Sequence, residues 1–146
     1  MKHTVYLDVC CFNRPYDDQL QPLIRVETEA KLLIQAEIEN GNLGLVWSFI
    51  LHYENNDNPY SDRRNQIAQW EAKATVSIPF KQDILLQAKE FMSQGIKTKD
   101  ALHIACAVAA ETDYFITTDK KLLNKDVELI PIVNPMDFLR RHFDEN

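Results

Sequence analysis

Apolar positions along this chain follow two alternating patterns, short runs typical of buried strands and longer stretches at helical spacing. The short runs cover residues 4–7, 44–47, 75–78 and 114–117, with a last run at 127–133 broken by Pro131. Between them, apolar residues recur at the spacing of one helix face, which predicts helices near 22–40, 49–55, 59–74, 81–93, 100–111 and 135–143. Residues 119–124 are predicted to form a short helix or a turn.

The ends of several predicted helices carry residues suited to those positions. Pro22 fits a first turn, and Gly41 fits the exit from the same helix. Ser48 is predicted to cap the helix through residues 49–55. Asn58 and Asn134 each precede a proline, and each pair is predicted to open a helix.

The alternation of strands and helices predicts the fold class. It favours an α/β protein, a three-layer α/β/α sandwich with a central, mostly parallel sheet. The whole chain, residues 1–146, is interpreted as one domain, because it contains no repeat, low-complexity tract or linker. In such sheets, binding sites form outside the carboxyl ends of the strands.

Composition and charge narrow the classes of function. No apolar run approaches the roughly 20 residues that span a bilayer, and the first residues lack a signal-peptide pattern. Three cysteines, Cys10, Cys11 and Cys106, are interpreted as small buried side chains in a reducing compartment, so a cytoplasmic protein without membrane contact is expected. The net charge of −6 argues against a broad electrostatic grip on nucleic acid. It leaves a nuclease open, because bound cations reverse the local charge.

Four acidic residues are candidates for chemistry. Asp8 and Asp119 directly follow predicted strands, Asp100 lies in the first turn of the most apolar helix, and Glu54 follows the second strand. Parallel strands would bring Asp8 and Asp119 to the same sheet edge. Each acid also has a plain structural interpretation: Asp8 and Asp119 as helix caps, Asp100 as an acid favoured by the helix dipole behind a Thr98 cap, Glu54 as a solvated side chain.

Acids that meet at one edge cannot all stay ionised without help. Like charges a few ångströms apart raise a pKa or recruit a cation, and carboxylate oxygens suit Mg²⁺ or Mn²⁺. Such an ion activates water and stabilises charge on a phosphate oxygen. The acids therefore indicate metal-dependent phosphodiester hydrolysis.

Basic residues flank the candidate acids. Arg14, Lys99 and Lys120, together with Lys97 and Lys121, are candidate phosphate contacts, although a solvated surface cation is the favoured interpretation of each. His103 shares a helix face with Asp100 and is interpreted as a packed histidine, with a role beside the acids as the alternative.

The segments VYLDVCCFNRP, SFILHYE, KTKDALHIACAV and FITTDKKLL resemble, in order, the acidic motifs of PIN domains. These are metal-dependent ribonucleases, many of them VapC-like toxins of toxin–antitoxin pairs. The resemblance implies that Asp8, Glu54, Asp100 and Asp119 line one Mg²⁺ or Mn²⁺ site and hydrolyse RNA, with Thr118 supporting the last acid. It also implies a homodimer and an antitoxin partner.

Two other interpretations stay open at this point. One is a different metal phosphohydrolase, although Asp8-Val9-Cys10 lacks the D-x-D of a haloacid-dehalogenase-like phosphatase. The other is a non-catalytic module whose acids hold a structural ion or a basic partner. The RNA target, the choice between Mg²⁺ and Mn²⁺ and the oligomeric state do not follow from the sequence.

Overall fold

A computed structural model describes residues 2–144, which form five strands and eight α-helices. The strands are β1 (Thr4–Leu7), β2 (Gly44–Ser48), β3 (Val76–Ile78), β4 (Tyr114–Ile116) and β5 (Ile132–Val133). The helices are α1 (Val9–Asn13), α2 (Pro22–Glu39), α3 (Phe49–Asn56), α4 (Ser61–Ala68), α5 (Gln82–Ser93), α6 (Thr98–Ala109), α7 (Lys120–Leu123) and α8 (Pro135–Asp144). Two 3₁₀ turns, Arg14–Tyr16 and Gln69–Lys73, follow α1 and α4.

The strands form one sheet in the order β3-β2-β1-β4-β5, and every pairing within the described residues is parallel. This confirms the predicted α/β class. Chain order runs outward from β1 to β2 and β3, then returns to the other side of β1 with β4 and β5. The order therefore reverses between β1 and β4, and a crevice opens there at the carboxyl ends of the strands.

The core lies around the central strand β1. Val5, Tyr6 and Leu7 have no exposed surface, because β1 has neighbours on both sides and helices over it. Helix α6 is nearly as buried, with Ala101 and Ile104 fully enclosed. Its apolar sequence predicts this, since a helix that is apolar on nearly every face must be covered.

Some predicted boundaries are wrong, and each error has a local cause. Asn58 does not open a helix at Pro59: its Oδ1 accepts from the Tyr60 N–H in a tight turn, and α4 begins only at Ser61. Thr98 does not cap α6; Lys97 holds that position without a side-chain bond.

Two further differences concern short elements. The last apolar run forms a strand only at Ile132–Val133, because Pro131 cannot donate to a ladder. Helix α1, directly after Asp8, was not predicted, since five residues are too few to show helical periodicity. Ser48 and Asn134, by contrast, do cap α3 and α8, accepting from the N–H groups of Leu51 and Asp137.

Within the described residues, no helix is both long enough and apolar enough to cross a bilayer.

Candidate functional site at the carboxyl edge of the sheet

Asp8 and Asp119 lie on either side of the crevice between β1 and β4. Asp8 follows β1 and caps α1, and Asp119 follows β4 and caps α7. Both acids therefore have the capping role that the structural interpretation assigned to them. The parallel pairing of Leu7 with Ile116 also brings the two strand ends together. Capping and a shared site are compatible, because a cap uses only part of a carboxylate's acceptor capacity.

The Asp8 carboxylate is held from two directions and is only 4% exposed. One oxygen, Oδ1, accepts from the Val9 N–H at 2.7 Å, and the other, Oδ2, accepts from the Thr117 hydroxyl at 2.9 Å. The same hydroxyl oxygen accepts from the Asp119 N–H at 3.1 Å. Thr117 thus ties the first acid to the backbone of the last one.

Thr118, the predicted partner of the last acid, does not make this link. Its backbone N–H lies 3.4 Å from the Cys10 Sγ, and the hydroxyl that contacts Asp8 belongs to Thr117. The reason is the extended backbone after β4, in which consecutive side chains point to opposite sides. The sequence pair Thr117-Thr118 offers two hydroxyls, and only the tertiary pairing with β1 selects between them.

Glu54 is fixed by a buried chain of side chains. Its Oε1 lies 2.7 Å from His103 Nε2, and His103 Nδ1 lies 2.6 Å from the Tyr6 hydroxyl. The Tyr6 hydroxyl in turn lies 2.6 Å from the Ser48 Oγ. His103 is 1% exposed, so its ring orientation is set by these contacts. His103 Nε2 also lies 4.0 Å from Asp8 Oδ1, which places the ring between two candidate acids.

The direction of these bonds follows from the chemistry of Tyr6. Burial raises the pKa of the Tyr6 phenol well above its usual value, so the phenol keeps its proton. A neutral His103 is satisfied when Ser48 donates to Tyr6, Tyr6 donates to Nδ1, and Nε2–H donates to Glu54. In that arrangement the chain holds one oxygen of Glu54 in place, and Oε2 has no bond to another described side chain.

Asp100 connects the acids electrostatically. It lies in the first turn of α6, half-buried, without a hydrogen-bond partner for its carboxylate among the described residues. Burial raises its pKa, and the charges of Asp8, Asp119 and Glu54 raise it further, while His103 lowers it. The other three predicted acids therefore lie close enough to act on the Asp100 carboxyl group.

The chemistry of this set suits a divalent cation, although the acids are not already gathered around a point. Hard carboxylate oxygens that repel one another are the ligands Mg²⁺ and Mn²⁺ prefer. Within residues 2–144, however, no three His, Cys, Asp or Glu side chains are grouped closely enough to hold a metal ion. The donors fit such an ion in type, and binding one would require their side chains to move together.

The predicted cations fall into two groups. Arg14 is engaged elsewhere, since its guanidinium donates to Asp17 at 2.9 Å and to Glu27 at 3.0 Å. Lys99 and Lys120 are exposed neighbours of Asp100 and Asp119. Their role as substrate contacts stays a prediction.

Two cavities flank the acids. One, of about 350 Å³, is lined by Asp100 and Asp119 on the β4 side, and the other, of about 370 Å³, is lined by Glu54 on the β2 side. Asp100 and Asp119 therefore border one cavity and Glu54 borders the other.

Sequence reasoning did not assign Tyr6, Ser48 or Thr117 to the site, and it interpreted His103 as a packed side chain. His103 is packed, and it also holds Glu54. The spacing of Asp100 and His103 by three residues was a usable signal, because it puts both on one helix face. Tyr6 gave no signal, since a tyrosine within an apolar strand reads as ordinary core.

Comparisons with known proteins bear on the fold. No protein-family model matches the sequence, and no curated protein matches it either. Among solved structures, the chain is similar to VapBC2 from Rickettsia felis bound to a DNA fragment from their promoter, with 12% identity and a TM-score of 0.55. That match covers 90% of this chain and 98% of the other. It is also similar to VapBC-1 from nontypeable Haemophilus influenzae, with 16% identity and a TM-score of 0.57 over 91% of this chain and 98% of the other.

At these identities the likeness is one of fold. The parallel order of the five strands agrees with it, as does coverage of almost the full length of both chains. The PIN-like fold that the sequence motifs predict is therefore confirmed, and this chain has the α/β fold found in VapBC proteins.

Proposed function

We propose that this chain is a metal-dependent endoribonuclease that hydrolyses RNA phosphodiester bonds and acts as the toxin of a toxin–antitoxin pair. The observation that carries the proposal is the meeting of acids at one sheet edge: the Thr117 hydroxyl contacts both Asp8 and the Asp119 N–H, and His103 lies between Asp8 and Glu54. The fold shared with VapBC proteins supports it. So does the resemblance of the four acidic motifs to PIN domains.

The chain's own residues have distinct roles in this proposal. Asp8, Asp100 and Asp119 would hold Mg²⁺ or Mn²⁺, and Glu54 would complete the set or orient the attacking water. A bound ion of this kind lowers the pKa of water and stabilises charge on a phosphate oxygen. Thr117 keeps Asp8 oriented, and His103 occupies one oxygen of Glu54 and leaves the other without a bond to a described side chain.

An antitoxin partner belongs to the same proposal, because the similar structures are VapBC complexes. The outer side of α2 exposes Leu23, Val26 and Leu33, apolar side chains that a protein partner would cover. A homodimer is proposed from the PIN-domain resemblance alone. Light scattering of the purified chain, with and without the product of a neighbouring small gene, distinguishes a monomer, a homodimer and a heteromeric complex.

The test of activity is cleavage of a mixed RNA pool by the purified chain. Reactions contain Mg²⁺, Mn²⁺ or EDTA, and the wild type is compared with Asp100→Asn and with Asp137→Asn, an acid on α8 outside the site. We expect cleavage that requires the metal, is abolished by Asp100→Asn and survives Asp137→Asn. Cleavage that persists in EDTA, or that Asp100→Asn leaves unchanged, would contradict the proposal.

A non-catalytic metal-binding module is the second candidate, because carboxylates at one sheet edge suit a divalent cation whether or not RNA is cleaved. Titration of Mn²⁺ into the same proteins separates the two. Metal binding that depends on Asp100, without cleavage of any RNA in the pool, would favour the binding module. Hydrolysis of a small phosphomonoester instead of RNA would point to a different phosphohydrolase.

A further inference from the structure

The cavity on the β4 side of the acids contains an unusual concentration of positive charge for an acidic protein. Lys97, Lys121 and Lys125 line it, and Lys99 and Lys120 are adjacent to lining residues in sequence. The chain has 16 lysines and arginines for a net charge of −6, and five of these cations lie between positions 97 and 125. We call the space lined by Lys97, Lys121 and Lys125 the lysine cavity.

These three ammonium groups are not neutralised by the protein. Within residues 2–144, no carboxylate lies within ion-pair distance of any of them. Cations elsewhere on the surface do have such partners: Arg14 binds Glu27, and Lys73 binds Glu39 at 3.0 Å. Asp100 and Asp119 also line the cavity, so its lysines exceed its carboxylates by one charge, and an anion would be attracted to the three amines.

The backbone helps bring one of these amines into place. Gly95, with a φ of +91°, turns the chain sharply between α5 and α6 and lines the cavity. A Cβ at this position would lie 3.4 Å from the Lys125 Nζ, so the amine packs closely over the glycine. The lack of a side chain at Gly95 leaves room for Lys125 at the rim.

The opposite cavity has the reverse charge. It is lined by Asp17, Glu54 and Asp57, and its single lining cation, Arg63, stacks on the Tyr60 ring at 4.0 Å. An anionic chain that crosses the acids is therefore attracted at one end only. Such an asymmetry would let a protein of net charge −6 attract a polyanion locally, beside Asp100 and Asp119.

We infer that the lysine cavity binds a backbone phosphate of a single-stranded RNA whose adjacent linkage lies over the acids. The inference rests on the proposed function for the identity of the nucleic acid. Amines on flexible side chains suit a phosphate, which accepts hydrogen bonds from several directions. The cavity, of about 350 Å³, is open beside Asp100 and Asp119, so a strand can continue from it across the acids.

The test measures RNA binding separately from cleavage. Binding of a short fluorescein-labelled single-stranded RNA is followed by anisotropy in EDTA, with the full chain. The wild type is compared with the triple variant Lys97→Gln, Lys121→Gln, Lys125→Gln. The control is Lys81→Gln, Lys89→Gln, which removes two exposed lysines that line neither cavity.

We expect the triple variant to bind about tenfold more weakly and the control to bind like the wild type. Because each phosphate contact on a single strand contributes a slope of about −0.7 in log K against log salt, and the cavity is proposed to bind one phosphate, the triple variant should lose roughly 0.7 units of slope. Equal affinity and slope in the triple variant and the control would overturn the inference. A wild type without affinity for RNA would also overturn it.

Two further arms separate the possible causes. Competition with 5′-AMP tests the source of the phosphate: displacement at concentrations as low as unlabelled RNA would assign the cavity to a free nucleotide and overturn the RNA assignment. Cleavage assays on the same preparations separate this inference from the proposed function. Lysine-dependent binding without any cleavage would contradict the proposed nuclease activity and support RNA binding by the lysine cavity. Cleavage with an unchanged KM in the triple variant would support the nuclease activity and contradict RNA binding by the lysine cavity.

Discussion

Lys31, in α2, is a buried lysine without a carboxylate partner among the described residues. It is 6% exposed, and burial lowers its pKa to about 8 because a charged ammonium loses its hydration. The Phe12 ring, 5.9 Å from the Nζ, offsets only part of this cost. At neutral pH the charge on Lys31 therefore lowers the free energy of unfolding, because the ammonium group loses hydration only in the folded protein.

Replacing Lys31 with methionine should stabilise the protein at about pH 7, by up to about 3 kcal/mol, since one pKa unit corresponds to about 1.4 kcal/mol. The folded pKa lies below the unfolded one, so between about pH 8 and 10 only the unfolded state keeps the proton. The stability of the wild type then rises with pH, and the advantage of the variant shrinks.

Urea denaturation of wild type and Lys31→Met at about pH 7 and pH 9.5 measures this difference. Lys89→Met, which changes an exposed lysine on α5, is the matched control and should show no such pH dependence. A Lys31→Met advantage that stays constant across this range would contradict the assignment.

The buried hydroxyl of Tyr6 differs from the Lys31 ammonium group because it has two hydrogen-bond partners. Tyr6→Phe removes the hydroxyl that lies 2.6 Å from both His103 Nδ1 and Ser48 Oγ. Because both partners are buried, we expect a loss of about 1–3 kcal/mol in the free energy of unfolding. We also expect a lower kcat in RNA cleavage, since the ring that holds Glu54 loses its anchor.

Thermal denaturation and steady-state kinetics test this prediction together. Tyr114→Phe is the control, because its hydroxyl has no hydrogen bond to another described residue. Equal losses in the two variants would show that the Tyr6 hydroxyl has no special part in the fold.

At the scale of elements, α8 is attached to α2 by a side-chain hydrogen bond as well as by packing of the two helices. His142 Nε2 lies 2.8 Å from Glu37 Oε2, and the His142 ring stacks on the buried Phe138 ring. The bond to His142 lowers the pKa of Glu37. A carboxyl group whose folded pKa is lowered stabilises the fold above its unfolded pKa, and that contribution disappears as pH falls through the folded value.

Glu37→Gln should therefore destabilise the protein by roughly 1 kcal/mol at about pH 6. The difference from the wild type should fade as the pH falls below the ordinary carboxyl range and through the lowered folded pKa of Glu37. Denaturation curves across this range measure the effect, with Glu29→Gln on the same helix as the control. A difference that persists unchanged in acid would rule out the hydrogen bond between ionised Glu37 and His142 as its cause.

At the scale of the whole molecule, the acids at the carboxyl edge of the sheet are expected to destabilise the fold, although the proposed activity requires them. Ionised Asp100 is disfavoured by burial and by Asp8, Asp119 and Glu54, so neutralising it should stabilise the fold. We expect Asp100→Asn to raise Tm in EDTA by a few degrees. In Mn²⁺, the wild type should gain stability because a cation relieves the same repulsion, and the variant should gain less.

Thermal melts of both proteins in EDTA and in Mn²⁺ check this prediction without relying on RNA. Asp137→Asn again serves as the control. Two results would contradict the electrostatic explanation: a wild-type Tm that is the same in Mn²⁺ and in EDTA, or a variant with a lower Tm than the wild type in EDTA.

The sequence by itself determined the class of fold and the places where acids leave the sheet. Strand and helix periods are local properties, so residues 44–47 and 22–40 predict β2 and α2 nearly to their observed ends. The position of an acid after a strand is also local, and a parallel sheet brings such positions to one edge. Asp8 and Asp119 could therefore be paired without coordinates.

Only the tertiary structure decided which side chains support those acids. Thr117 rather than Thr118 contacts Asp8, because strand pairing selects one side of the extended backbone. His103 contacts Glu54, which is 49 residues away in sequence, and Lys125 packs over Gly95 in the turn between α5 and α6. Contacts of this kind join residues that are distant in sequence, so no local pattern encodes them. They form only when the strands have paired on both sides of β1.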